Sequence, residues 1–401
     1  MKYSQSQMLL PLLNALSEGG GRLKTGDLCD AVAECLNVPS EVRSRKVWVG
    51  GSNGGEVNLF ERRVRWAQQT AKLKGLVEPD VRPYWRLRGK GERALKEALP
   101  GVVMTVFVTD KGVALYGSCE DAVALIEDKS VQLLFTSPPY PLSHRSQKPY
   151  GNVAATEYCD WLLRLVEKWP RKLTPDGSLV INLGDLWEAG MPNVSLYQER
   201  LLIRLHDQLG LKLCQRFYWQ SPTRLPLPKT WVAVQRIRVK NSVEQLWWLS
   251  QSGRPYASNR EVLTPYSAKM KRTIAKGGEQ RQEIHPSGHD IRKGAFAKDN
   301  GGAIPGNILV FPNAETNTGY VRGCKAEGLP IHPARFPAMI PNFFIRFLTR
   351  PDDLVYDPFG GSGVTAQEAE KLGRRWMTSE IMKEYVEGSR FRFPETVGTA
   401  A

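Results

Sequence analysis

The chain lacks any Cys-x-x-Cys pair. Its cysteines, Cys29, Cys35, Cys119, Cys159, Cys214 and Cys324, are scattered singly. No zinc site is therefore expected. His285 and His289 have ligand-like spacing, but no cysteine pair accompanies them. They read as exposed loop residues, and no metal is assigned. Long apolar runs are missing too: none approaches the roughly 20 residues needed to span a bilayer. Met1 to Gln5 leads into an amphipathic stretch without a signal-peptide cleavage pattern. These absences predict a soluble, cytoplasmic protein with no membrane partner. There is no internal repeat and no Gly-x-Gly-x-x-Gly dinucleotide fingerprint.

What is present is length and positive charge. The 401 residues suffice for a large core and two domains. Lys and Arg number 55 against 41 Asp and Glu, a formal net charge of +14. Such an excess suits a polyanionic partner.

Thr136-Ser137-Pro138-Pro139-Tyr140 follows an apolar run, Val131 to Phe135, that reads as a buried strand. The two prolines remove two backbone donors and fix φ. The carbonyls of Ser137 and Pro138 stay free to accept, the Ser137 hydroxyl can accept or donate, and Tyr140 offers a flat face for a base. This is an acceptor-rich turn suited to an exocyclic amino group. Far downstream, Asp357-Pro358-Phe359-Gly360-Gly361-Ser362-Gly363 reads as strand, glycine turn and helix start. Glycines permit φ > 0 and close ligand approach, and the helix N-terminus beyond favours an anion. The next strand, Arg375 to Ile381, carries Glu380 near its end. His332-Pro333-Ala334-Arg335-Phe336-Pro337 precedes an apolar helical stretch just before the glycine turn.

Together these segments resemble the amino-group DNA methyltransferases over roughly residues 106–393. The catalytic turn comes first and the glycine turn last, which resembles the permuted β class of that family. The resemblance implies a catalytic set of Ser137, Pro138, Pro139 and Tyr140. It implies S-adenosylmethionine as cofactor, held by Asp357, Pro358, Phe359, Gly360, Gly361, Ser362 and Gly363. Glu380 would take the ribose hydroxyls, and His332 and Pro333 would line the methionine end. A serine at the first catalytic position is usual in the family for cytosine-N4 work, whereas Asp or Asn usually signals adenine-N6. Gly177 to Asp185 and Trp231 to Ser250 resemble the intervening family segments. Gly117-Ser118-Cys119-Glu120-Asp121 departs from the family pattern: Ser118 stands where an Asp commonly meets the cofactor adenine. Either Ser118 makes that contact, or Glu120 or Asp121 substitutes. No Pro-Cys dipeptide occurs, which disfavours cytosine-C5 chemistry and its cysteine nucleophile.

Residues 1–98 read as a separate small domain. Gln5 to Ser17 has apolar residues at helical spacing and ends at Gly19-Gly20-Gly21. Thr25 is placed to cap a second helix, Gly50 to Gly55 reads as a loop, and Leu59 to Leu73 reads as a third helix. A hairpin bent at Pro79-Asp80 follows. Three helices and a hairpin form a winged helix, and the order resembles the N-terminal domain of Mrr-type restriction proteins. Arg62, Arg63 and Arg65 on its third helix are the expected DNA contacts.

Beyond it, strands at 131–135, 178–183, 212–219, 244–249, 354–356 and 376–379 alternate with helices at 156–172, 196–209, 336–348, 364–372 and 383–388. This predicts an α/β doubly wound, Rossmann-like methyltransferase sheet. Residues 252–306 are rich in Lys and Arg with little periodicity. They read as a target-recognition segment, with Lys269, Lys271 and Arg272 as DNA contacts.

The expected function is site-specific transfer of a methyl group to the N4 amino group of a flipped-out cytosine in double-stranded DNA. The setting would be restriction–modification, with a cognate restriction endonuclease as partner, or orphan modification. Oligomeric state stays open. The alternatives are adenine-N6 methylation and a non-catalytic DNA-binding regulator that kept the fold.

Overall fold

The computed structural model describes residues 4–50, 54–141, 153–188, 190–284, 286, 288, 290–313 and 316–394. His285 and His289 lie outside these described residues. Nine strands form the large sheet: β1 (Met104–Val108), β2 (Gly112–Tyr116), β3 (Val131–Thr136), β4 (Leu173–Leu183), β5 (Lys212–Gln220), β6 (Val243–Ser250), β7 (Ile308–Val310), β8 (Leu354–Asp357) and β9 (Arg375–Glu380). Their order across the sheet is β7-β5-β6-β4-β3-β8-β9-β2-β1. The five central strands β4, β3, β8, β9 and β2 run parallel. β6 is antiparallel to β4, β5 to β6, and β1 to β2.

Helices cover both faces, which explains the unbroken apolar runs of the central strands. Leu133, Phe135 and Val180 pack with Phe344 and Ile345 of the helix Met339–Leu348. Leu134, Leu179 and Ile181 point the other way, toward Leu162 and Leu201 of the helices Ala155–Val166 and Tyr197–Leu209. The helix expected at 156–172 stops at Val166. Pro170 cannot donate to a helical ladder, and Pro170–Lys172 forms one 3-10 turn.

The N-terminal region is a winged helix. Helices Leu9–Glu18, Thr25–Cys35 and Leu59–Leu73 surround Leu12, Leu28, Val32, Phe60 and Val64. An antiparallel sheet joins Arg22–Lys24, Tyr84–Leu87 and Val77–Pro79. Thr25 does not cap its helix. Lys24 holds the cap position, and the Thr25 hydroxyl instead donates to the Pro83 carbonyl (3.0 Å), tying the helix to the wing. Asn58 is the true side-chain cap of the third helix, accepting from the Glu61 amide at 3.1 Å. Of the loop expected at Gly50 to Gly55, residues 51–53 lie outside the described residues; the flanking Lys46–Val49 and Gly55–Asn58 pair antiparallel. The apolar core of this region is continuous with Val102 and Met104, so it covers the edge strand β1.

Candidate active site

The parallel strands deliver their carboxyl ends to one place, as expected for an open α/β sheet. β3 ends in the Ser137 turn, β8 in the glycine turn, β9 in Glu380 and β2 in the turn carrying Ser118; β4 brings Asn182. Because β6 runs the opposite way, its amino end arrives at the same edge and brings Glu244. A cavity of about 680 Å³ joins these parts. It is lined by Ser137, Pro138, Pro139 and Tyr140 at one end and by Pro358, Phe359, Gly360, Gly361, Ser362 and Glu380 at the other. Ser118, His332 and Pro333 also line it. Residues more than two hundred positions apart thus share one chamber.

The glycine-turn end is built mostly from backbone. A side chain at Gly360 would place its Cβ 1.8 Å from the Thr378 hydroxyl oxygen. Gly361 has φ +50°, and a Cβ there would lie 3.0 Å from His332 Nε2. The His332 ring packs edge-on against Tyr385, with centroids 4.7 Å apart. Glu380 is buried and accepts three backbone N–H bonds, from Gly361 (2.9 Å), Ile381 (2.9 Å) and Met382 (3.0 Å). Burial outweighs these bonds and pushes its carboxyl up to about 7. A carboxylate has about four acceptor sites, so capacity remains for a ligand hydroxyl. A narrow glycine cradle, an acid for a diol and the apolar Phe359 fit a nucleoside sulfonium such as S-adenosylmethionine.

Two residues assigned to the cofactor stand elsewhere. Asp357 is 2% exposed and does not line the cavity. Its Oδ1 accepts from the Thr136 hydroxyl and the Phe359 amide, and its Oδ2 from the Thr365 hydroxyl (2.7, 3.1 and 2.7 Å). It locks the end of β3, the glycine turn and the helix Val364–Lys371 together, and burial pushes it up to about 6. Gly363 is also outside the lining; with φ +74° it serves as the N-cap of that helix. Ser118 caps the short helix Cys119–Ala122, accepting from the Asp121 amide and donating to its carboxylate (3.1 and 2.8 Å). Of the two acids weighed against Ser118, Glu120 lines the cavity and Asp121 does not. Burial pushes the nearby Cys119 thiol up to about 12, so it is no nucleophile.

The catalytic-turn end is built from side chains. Tyr140 Oη donates to Glu244 Oε2 at 2.7 Å. Asn182 Nδ2 donates to Tyr140 Oη (2.9 Å) and to Glu244 Oε2 (3.0 Å), with Ser137 Oγ at 3.4 Å. Ser137 Oγ lies 3.3 Å from Tyr140 Oη. Arg224 pairs with Glu244 Oε1. The Tyr140 ring rests on Gly184, where a Cβ would come within 2.6 Å of the ring. Burial, then the Glu244 charge, raises the Tyr140 hydroxyl well above its ordinary value, so it stays a donor. Sequence reasoning assigned no role to Asn182, Arg224 or Glu244. The available signal was Glu244 itself, the single charged residue in the Val243–Ser250 strand.

The expected DNA contacts lie outside this cavity. Arg65 is exposed and ion-paired with Glu61 (3.0 Å), and the Arg62 guanidinium lies 4.9 Å from the Trp66 ring centre. Lys269, Lys271 and Arg272 are exposed on a helix, Ala268–Ala275, that the sequence reading did not include; Ser267 caps it. Between β5 and β6, residues 221–242 carry Arg224, Lys229, Arg236, Arg238 and Lys240 and no acid.

The DNA methylase family matches residues 131–391, and the Mrr N-terminal domain matches residues 6–97. The type II methyltransferase M.PvuII of Proteus hauseri is 44% identical over 288 residues, covering 72% of this chain and 85% of that protein. The type II methyltransferase M.BglII of Bacillus subtilis is 26% identical, covering 73% and 71%. The solved structure of the PvuII DNA methyltransferase, titled cytosine-N4-specific, superposes with a TM-score of 0.57 at 37% identity. That match covers 71% of this chain and 87% of that one.

Proposed function

The chain belongs to the amino-group DNA methylase family, and on that premise we propose that it methylates the N4 amino group of a cytosine flipped out of duplex DNA. The observation that carries this reading is Ser137, at the first position of the catalytic turn and in one cavity with the glycine turn. The cofactor S-adenosylmethionine supplies an electrophilic methyl group when bound. Glu380 takes its ribose hydroxyls, Gly360 and Gly361 admit it to the backbone, and His332 and Pro333 flank its methionine end. Ser118 or Glu120 meets the adenine.

A base stacked in a duplex cannot reach this chamber, so the target is flipped at a cost of a few kcal/mol. Tyr140 stacks on the flipped ring. Ser137 Oγ and the Pro138 carbonyl accept the two amino hydrogens. This bends the nitrogen toward tetrahedral and frees a lone pair otherwise conjugated into the ring. The chain's contribution is alignment and oriented acceptors. The winged helix, through Arg62, Arg63 and Arg65, and the 252–306 segment, through Lys269, Lys271 and Arg272, hold the duplex. A cognate restriction endonuclease is the expected partner, tested by whether modified DNA resists an enzyme that cuts the same site.

Mass spectrometry of nucleosides from DNA treated with the protein and S-adenosylmethionine tests the reading. N4-methylcytosine is the expected product; N6-methyladenine overturns the role of Ser137 as the specificity signal.

A further inference from the structure

The chain of groups behind Ser137 has a direction. Tyr140 has one hydroxyl proton, and it goes to Glu244 Oε2. In the 3.3 Å pair between Ser137 and Tyr140, Ser137 must therefore be the donor. Asn182 reinforces this order: its amide nitrogen can only donate, and it donates to both Tyr140 Oη and Glu244 Oε2. With its own proton turned toward Tyr140, Ser137 presents lone pairs to the cavity. Glu244 is 6% exposed and is compensated by Arg224, so the buried carboxylate at the end of the chain is paired.

The geometry points to Glu244 as the positioning residue of the active site and the final acceptor of the proton released on methylation. This inference rests on the cytosine-N4 reading. As N4 shares its lone pair with the incoming methyl group, the carbon–sulfur bonding pair stays on sulfur and the positive charge moves to nitrogen. The N4–H bonding pair then stays on nitrogen. Its proton passes to Ser137 Oγ while the Ser137 proton passes to Tyr140 Oη and the Tyr140 proton to Glu244 Oε2. Both hydroxyls are restored, the nitrogen is neutral, and the carboxylate has become a carboxylic acid. No external base is required.

Glu244→Gln tests this directly, because an amide can donate as well as accept. The hydroxyl chain then loses its obligatory direction, and Ser137 can present a proton instead of a lone pair. Full-length wild type must first form N4-methylcytosine at its mapped site; failure there overturns the parent reading and not the relay alone. Binding is then measured on two duplexes carrying that site, with cytosine or uracil at the target position opposite an abasic site. Neither target base has a partner to break, and uracil replaces the amino donor by a carbonyl acceptor. Wild type should prefer cytosine by about tenfold or more. Glu244→Gln should bring that ratio close to one. It should also slow single-turnover methylation by roughly 10²-fold, with cofactor affinity by calorimetry unchanged. A purely structural role would weaken both duplexes equally. An unchanged cytosine preference in Glu244→Gln overturns the proposal. If that variant is too unstable to purify, Tyr140→Phe interrupts the same chain at its middle, and retention of the preference there overturns it equally.

Discussion

The two ends of the cavity are made of different material. At the glycine-turn end, contacts come from backbone: two glycines that exclude side chains, and three N–H groups on Glu380. At the catalytic-turn end, contacts come from side chains of four separated segments: Ser137 and Tyr140, Asn182, Arg224 and Glu244. A backbone site tolerates almost no added volume but is indifferent to the protonation of distant groups. A side-chain relay tolerates volume better and depends on which atom donates. The two ends should therefore fail differently.

The largest effect is expected from Gly361→Val. Its φ of +50° strains any branched residue, and the new atoms meet the His332 ring. Calorimetry should find S-adenosylmethionine affinity reduced by on the order of 10³-fold. Retained affinity would falsify the backbone account of that end.

Next comes pH. Glu380 titrates near 7 in the folded chain and has an ordinary value of 4.5. Between those values the folded state binds the extra proton. The stability this group carries is full below pH 4.5 and is lost as pH rises through about 7. Asp357, pushed from 3.8 up to about 6, acts in the same direction. Cofactor-free protein should therefore melt at lower temperature as pH rises through this window. Glu380→Gln should remove on the order of 3 kcal/mol of that dependence. A parallel slope in wild type and variant would show that Glu380 does not cause it.

Ser137→Ala sharpens the contrast from the other side. Single-turnover methylation should fall about 10²-fold while cofactor affinity by calorimetry stays level, since the serine faces the base. An equal loss in both measurements would place Ser137 at the cofactor. The smallest effect belongs outside the cavity. Arg62→Ala and Arg65→Ala should each weaken DNA binding and reduce the log–log salt slope by about 1, with product identity unchanged. A salt slope equal to wild type would remove the winged helix from the DNA interface.

Legibility followed the same division. The glycine turn, Glu380 and the Ser137 turn stand out in the sequence because each is a contiguous run whose chemistry is local, and all three line one cavity. The central strands β3 and β4 were read because burial on both faces makes them largely apolar runs. β1, β2 and β7 were missed: β1 and β7 are short strands at the two edges of the sheet, and β2, though central, is a five-residue strand that owes its place to pairing with the distant β9. Asp357 adjoins the glycine turn in sequence but does not line the cavity. The fold instead turns its carboxylate onto Thr136 and Thr365. Ser118 was seen as a departure from the family pattern, but its role as a helix cap depends on where Asp121 falls.

By itself, the sequence determined the reaction family, the cofactor and the order of the motifs, because these reside in short runs whose backbone demands travel with the residues. Only the tertiary structure brought Ser137, Tyr140, Asn182 and Glu244 into one hydrogen-bonded chain. That depends on β6 running antiparallel to β4, which brings the amino end of one strand beside the carboxyl end of another and sets Glu244 on Asn182 and Tyr140. A hydrogen bond acts over about 3 Å, so a relay of this kind exists only once the sheet has closed those gaps.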